Sequence, residues 1–129
     1  MIDYTIDHLN SKCEKMFAYL KEPSPSMDQE DKVMERLMML GKMVAESGEY
    51  KAVAQYHVDE IVHGEISKAI DRAMGDKVST STINLYVKTA ARHWNYLVMA
   101  FDRINSAAAK VMMSFQTMIS FEKEKMKML

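Results

Sequence analysis

Residues 83–118 read INLYVKTAARHWNYLVMAFDRINSAAAKVMMSFQTM, and the spacing of their apolar side chains decides the fold. Ile83, Val87, Ala90, Trp94, Leu97, Phe101, Ile104, Ala108, Val111, Phe115 and Met118 follow one another at steps of three or four. Paired steps of three and four make heptads, so the stretch predicts one long, unbroken helix packed lengthwise on others. Trp94, Leu97, Phe101 and Ile104 are the expected centre of the core. The rest of the chain is read by asking what covers this seam.

Immediately upstream, Gly75-Asp76 is a strong stop, because glycine accepts the left-handed conformation that ends helices. Ser79, Thr80, Ser81 and Thr82 then offer N-caps for the seam helix. A second helix is expected over about 27–74, with Ser24 or Ser26 as N-cap, Ser26 to Gln29 fitting a capping box, and Asp28, Glu30 and Asp31 favourably placed by the macrodipole. Its apolar face runs through Val33, Leu37, Leu40 and Val44, then through Ala54, Val58, Ile61 or Val62, Ile66 and Ile70. Between these runs the register slips near Ser47-Gly48, which reads as a stutter in one helix or as a true break at Gly48.

Two long helices of similar length joined by a turn at 75–79 imply an antiparallel hairpin. Two prolines mark residues 22–27 as a connector. Before it, Ile6, Leu9, Cys13, Met16, Phe17 and Leu20 give a short amphipathic helix at about 5–21. It is expected to pack beside the start of the second helix and the end of the third, which extends over about 80–126. The fold class is therefore all-α, a single domain over 1–129: a short N-terminal helix plus a long, coiled-coil-like antiparallel hairpin, completed as a multi-helix bundle by oligomerisation.

Composition agrees with long helices, since 129 residues carry only Pro 2 and Gly 4. A formal net charge of -1 gives no bulk pull toward nucleic acid or an anionic membrane. Charge is nonetheless uneven: residues 1–50 hold six basic and ten acidic side chains, and residues 51–129 hold eleven and eight. A lone cysteine asks for no oxidising compartment. Neither a signal peptide nor a membrane span is expected, because no basic start precedes an apolar run and Asp102, Arg103 and Lys110 interrupt the most apolar stretch. Cytoplasmic location is the default. Met 14 is an unusual richness, and methionine suits adaptable contact surfaces better than a uniquely specified core.

Candidate chemistry is sparse. Glu60 and His63 form the Glu-x-x-His unit of di-iron bundles, with His57 one turn before. Such sites need two of these units plus carboxylates from two further helices, and the seam helix supplies no second unit. His57 and His63 read instead as lying at a helix boundary or interface. Glu46 and Glu49, upstream of Asp59 and Glu60, are similar to the Glu-x-x-Glu of all-helical nucleotide pyrophosphohydrolases, but the second half of that motif is missing. They read as a solvated acidic turn. Cys13 sits on an apolar face away from any base, the mark of a core thiol and not of a nucleophile. No catalytic residue, metal site or cofactor is expected.

Surface patterning is more informative. Small residues Ala100, Ala107 and Ser114 flank one side of the seam, and Val98, Met112 and Ile119 the other, while Tyr96, Met99 and Met113 occupy the back. A hairpin plus one short helix cannot cover so much apolar surface, so Tyr96, Met99, Met112, Met113 and Ile119 are the candidate interface residues and a homo-oligomer is expected. Lys88, Arg92, Arg103 and Lys110, with Tyr96 among them, form a basic stripe able to follow a phosphate backbone, although Asp102 interrupts it.

Ala100-Phe101-Asp102-Arg103-Ile104-Asn105, with the Ser120 to Lys125 region that follows, resembles small helical proteins encoded by bacteriophages and mobile elements of gut bacteria. The likeness covers the long helices in architecture and Asp102-Arg103-Ile104-Asn105 in residues. It implies a phage origin, an oligomeric helical habit, the cytoplasm of an infected bacterium and no catalytic residues. The expected function is non-enzymatic: a self-associating helical protein that binds a host or phage protein through methionine-rich and aromatic faces. Two alternatives are a nucleic-acid-binding accessory to phage replication or recombination, and an oligomeric sponge for signalling nucleotides.

Overall fold

The computed structural model describes residues 5–73 and 80–128, and within them the side chains outside 69–83 and 86. Four helices follow in order, α1 (Ile6–Leu20), α2 (Glu30–Ala73), α3 (Thr80–Ala90) and α4 (Arg92–Lys127), and no strand occurs among the described residues. The expected stop at Gly75-Asp76 and the turn at 75–79 lie outside the described residues. None of the helices is long and apolar enough, among the described residues, to cross a membrane.

α2 and α4 pack along their length and run antiparallel, since partners on α4 descend in number as those on α2 rise. Asn105 reaches Val44 and Ser47, Phe101 meets Tyr50, and Trp94 meets His57. Their shared core contains Leu40, Tyr50, Ala54, Leu97, Phe101, Ile104, Ala108 and Phe115, with Leu40, Leu97, Phe101 and Ile104 at 0% exposure. α1 adds Leu9, Cys13 and Met16 to the same cluster and lies alongside α4. Ala100 is buried and Ala107 half-buried on α4, small side chains that permit close helix approach.

α1 opens with Thr5, whose hydroxyl accepts from the His8 amide at 3.3 Å, and closes where Lys21 and Glu22 donate back into the last turn ahead of Pro23 and Pro25. With 15 residues it reaches about 22 Å, whereas the 44 residues of α2 reach about 66 Å. One short helix therefore covers only part of the hairpin.

Four local expectations are corrected. α2 starts at Glu30 and not at 27, because Ser26 donates its hydroxyl to Asp28 instead of capping, and the first α-helical bond runs from the Val33 amide to the Gln29 carbonyl at 3.0 Å. Neither stutter nor break exists at Ser47-Gly48. Ser47, 0% exposed, fills the heptad place between Leu40 and Ala54, so the face is continuous and merely polar at one position.

The seam helix, expected unbroken, is divided at Ala91, where φ −92° and ψ 1° lie in the bridge region. This moves the inward position by one residue: Ala91 is buried and Ala90 exposed. Toward the far end Met118 is also off the seam, and Ile119 turns inward in its place. A straight helix drifts about 20° per heptad, which accumulates until the step from Phe115 becomes four residues instead of three.

Phe101→Ala should cost about 3–5 kcal/mol of unfolding free energy, because it empties a fully buried site. Lys88→Ala, at an exposed position, should stay within about 0.5 kcal/mol of wild type. Urea denaturation giving equal losses for the two would mean that α4 packs by another face.

Candidate functional site

The inner and outer faces of α4 differ in chemistry as well as in exposure. Inward, one polar contact interrupts the apolar seam. The Asn105 side-chain amide donates to the Val44 carbonyl at 2.8 Å and to the Ser47 hydroxyl at 3.2 Å, while the same hydroxyl donates to Val44 at 3.2 Å. A polar pair inside an apolar interface penalises every register that separates it, which ties α4 to one position along α2.

Outward, Tyr96, Met99 and Met113 are 60%, 58% and 65% exposed. Met99 and Met113, fourteen residues apart, lie within about 40° of one another around the helix, with Tyr96 about 60° to one side of Met99. Arg103, Ser106 and Lys110 lie between Met99 and Met113, and Arg92 lies one turn before Tyr96, all exposed. Lys88, also exposed, sits on α3 beyond the Ala91 turn. None of these four cations forms an ion pair among the described residues. Asp102, the acid that interrupts the basic stripe, is held instead by Lys51 of α2 at 2.8 Å.

The other two interface candidates are placed differently. Met112 and Ile119 are half-buried and pack on the core. A Cβ at Gly41 would lie 3.7 Å from the Met112 terminal carbon, an ordinary contact distance, which places Met112 against α2. Ile119 and α2's Val33 and Met34 line a cleft near the end of the bundle. Both residues join the hairpin's own packing, and the outward face is carried by Tyr96, Met99 and Met113.

His57 stacks on Trp94 with ring centroids 4.0 Å apart and planes at 17°, closing the α2–α4 interface beside the Ala91 turn. Trp94 is half-buried, the periphery of the core and not its centre. Glu60 and His63 are exposed, and no group of three or more His, Cys, Asp or Glu among the described residues is arranged to hold a metal. Glu46 is half-buried and paired with Lys42 at 3.7 Å.

Arg36 was not singled out by periodicity, yet it is buried at 6% exposure. Its guanidinium lies 4.2 Å from the centre of the Tyr19 ring, donates to the Glu22 carbonyl at 3.2 Å and approaches the Glu22 carboxylate at 3.7 Å. These contacts fasten the end of α1 and its connector to α2. The available signal was an arginine one place from the apolar face, adjacent to Leu37, where a long side chain can bury its stem.

Burial, and secondarily Glu14, pushes the Cys13 thiol above its ordinary value of 9.0. Burial followed by Glu46 and Glu49 likewise pushes the Tyr50 phenol above 10.0. Both groups are thus neutral at physiological pH. A raised folded value means that stability is fully present below the unfolded value and is lost as pH rises through the folded one, so the loss belongs to pH above about 9. In native protein at pH 7.5 Cys13 should react with a thiol-specific disulfide reagent at least about tenfold more slowly than in urea-unfolded protein. Equal rates would mean that α1 does not cover it. Comparison with protein-family models, with curated proteins and with solved structures found no match, so the reading of this surface rests on its geometry.

Proposed function

We propose that this chain is a non-enzymatic, self-associating helical interaction protein that works through the outer face of α4. The observation that carries the reading is the exposure of Tyr96, Met99 and Met113 on a helix whose opposite face is already filled. Area supports it. A compact monomer of 14.8 kDa exposes about 7,000 Å², whereas this chain exposes 9569 Å², roughly 2,600 Å² more. Elongation creates that excess, and a standard interface removes about 800 Å² from each partner. Methionine and tyrosine supply the contact chemistry: thioethers repack against varied surfaces, and a phenol buries its ring while keeping a hydrogen bond. The same face would receive a host or phage protein, in the bacterial cytoplasm that the phage resemblance implies.

A second reading has one observation in its favour. Lys51 neutralises Asp102, which leaves Arg92, Arg103 and Lys110 with Tyr96 as a less interrupted basic and aromatic stripe. Such a stripe suits a nucleic-acid backbone, or the phosphates of a signalling nucleotide. Affinity for a fluorescent oligonucleotide that falls steeply with salt and disappears in Arg103→Glu would favour this reading over the first.

Sedimentation equilibrium tests the first reading directly. Wild type should show a mass above the monomer's at micromolar concentration. Met99→Glu combined with Met113→Glu should shift it to monomer, with helicity by circular dichroism unchanged, because both side chains lie outside the core. A wild-type chain that remains monomeric at high micromolar concentration would contradict the proposal.

A further inference from the structure

We infer that a second copy of this chain docks antiparallel on the outward side of α2, with the two-fold axis passing at Ala45. This contact is separate from the α4 face and adds to it. Met34, Met38, Ala45, Ala52 and Tyr56 are all exposed and lie within about 20° of one line along α2, taking about 100° per residue. That line holds no charge. The fold fixes what stands on either flank of it. A Cβ at Gly41 or Gly48 would lie 3.7 Å from Met112 or Asn105, which turns the glycine flank toward α4. On the other flank Lys42 and Glu46 border the groove that Lys12 and Tyr19 of α1 also line. Lys42 and Glu49, both exposed, share this α1 flank, about 60° and about 40° around the helix from Ala45.

Charge names the occupant. A two-fold axis that relates antiparallel helices sets each flank against the same flank of the partner, so charges on the α1 flank meet one another. Lys42 lies three residues before Ala45 and Glu49 four after it. Lys42 therefore meets the partner's Glu49, and Glu49 meets the partner's Lys42. Lys42 keeps its contact with Glu46 at 3.7 Å, since an ammonium carries three donors. Moving the axis by half a heptad sets Lys42 on Lys42 or Glu49 on Glu49, like charges that oppose association. A parallel pairing carries both side chains to the partner's glycine flank, where Gly41 and Gly48 offer no charge. Asp31 and Glu60, like charges on the α1 flank, meet only about 21 Å from the axis, beyond Met34 and Tyr56 where the contact ends.

Shape agrees with charge. The same axis sets Met38 on the partner's Ala52, each seven residues from Ala45, and Met34 on the partner's Tyr56, each eleven away, a thioether against an aromatic ring. Ala45, Gly41 and Gly48 at the crossing are small enough for close approach. They also remove little apolar area from water, so this contact is weaker than the one on α4. A chain with its α4 face disabled sediments as a monomer at micromolar concentration and pairs through α2 transiently. With both faces intact, dimers join into larger assemblies.

Oxidative trapping in the chain carrying Met99→Glu and Met113→Glu reads this contact without the α4 face. A disulfide needs Cα atoms within about 4.4–6.8 Å, and residues that meet on the axis satisfy this. With Cys13→Ala added, Ala45→Cys should oxidise to a covalent dimer at least about threefold faster than Ser106→Cys, an exposed control on α4. Glu49→Lys should slow the trapping of Ala45→Cys at least about threefold, and adding Lys42→Glu should restore it, because the pair is then reversed and not lost. Should Cys13→Ala impair folding, the same variants retain the buried Cys13, and mass spectrometry identifies the linked positions. Trapping of Ala45→Cys no faster than the control, or a charge reversal without rescue, would overturn this contact whatever the mass of the wild type. An Ala45→Cys thiol that does not cross-link and is protected from maleimide by an oligonucleotide or by another protein would give α2 a different occupant and overturn it too. A wild type that sediments as a monomer while Ala45→Cys still traps and is rescued would remove the α4 reading and leave this one standing.

Discussion

The contact between Phe101 and Tyr50, ring centroids 5.3 Å apart at 51°, belongs to the one core to which α1, α2 and α4 all contribute. Everything else in the molecule depends on α4 meeting α2 in that alignment. Packing alone would tolerate sliding, because apolar heptads repeat and a shift by one repeat restores most contacts. The bonds from Asn105 to Val44 and Ser47 remove that freedom, since a shifted register would bury the amide and hydroxyl without partners. Fixing the inner face also fixes the outer one. Met99, Ser106 and Met113 point away from α2 because Leu97, Phe101, Ile104 and Ala108 point toward it.

Much of this was legible from spacing. The seam through Leu97, Phe101, Ile104, Ala108 and Phe115 is buried as expected, and the hairpin of long helices with a short first helix follows from where prolines and glycines are and are not. Three features were hidden for physical reasons. Ser47 was misread because hydrophobic periodicity assigns the core by polarity, while a hydroxyl bonded to a helix carbonyl and to Asn105 is satisfied inside it. Arg36 escaped for the same reason, its buried charge being held by Tyr19 and Glu22 from a distant part of the chain. The division at Ala91 has no proline or glycine to announce it; Ala90, Ala91 and Arg92 all suit a continuous helix, and the turn is visible only in the backbone angles.

Of the candidate surface residues, the sequence alone could not separate Met112 and Ile119 from Met99 and Met113. Flank and back differ by one step around the helix, and their burial depends on what α2 offers opposite. For Met112 that is the stretch of α2 at Gly41, against which its terminal carbon packs. The outer face is distinguished from an ordinary solvated face by containing Met99 and Met113 among cations that make no ion pair with the described residues, and from a purely basic face by Asp102 near its middle. That combination suits a protein surface better than a polyanion.

The central claim is that α4 uses one face to fold and the opposite face to associate. Methionine methyl resonances report both faces at once, in protein labelled with carbon-13 at that position and assigned by single Met→Leu replacements. On dilution from high to low micromolar concentration, the Met99 and Met113 signals should move or broaden together, while those of Met16 and Met43, buried in the core, stay fixed. Concentration-dependent shifts at Met16 and Met43 with none at Met99 and Met113 would contradict the account.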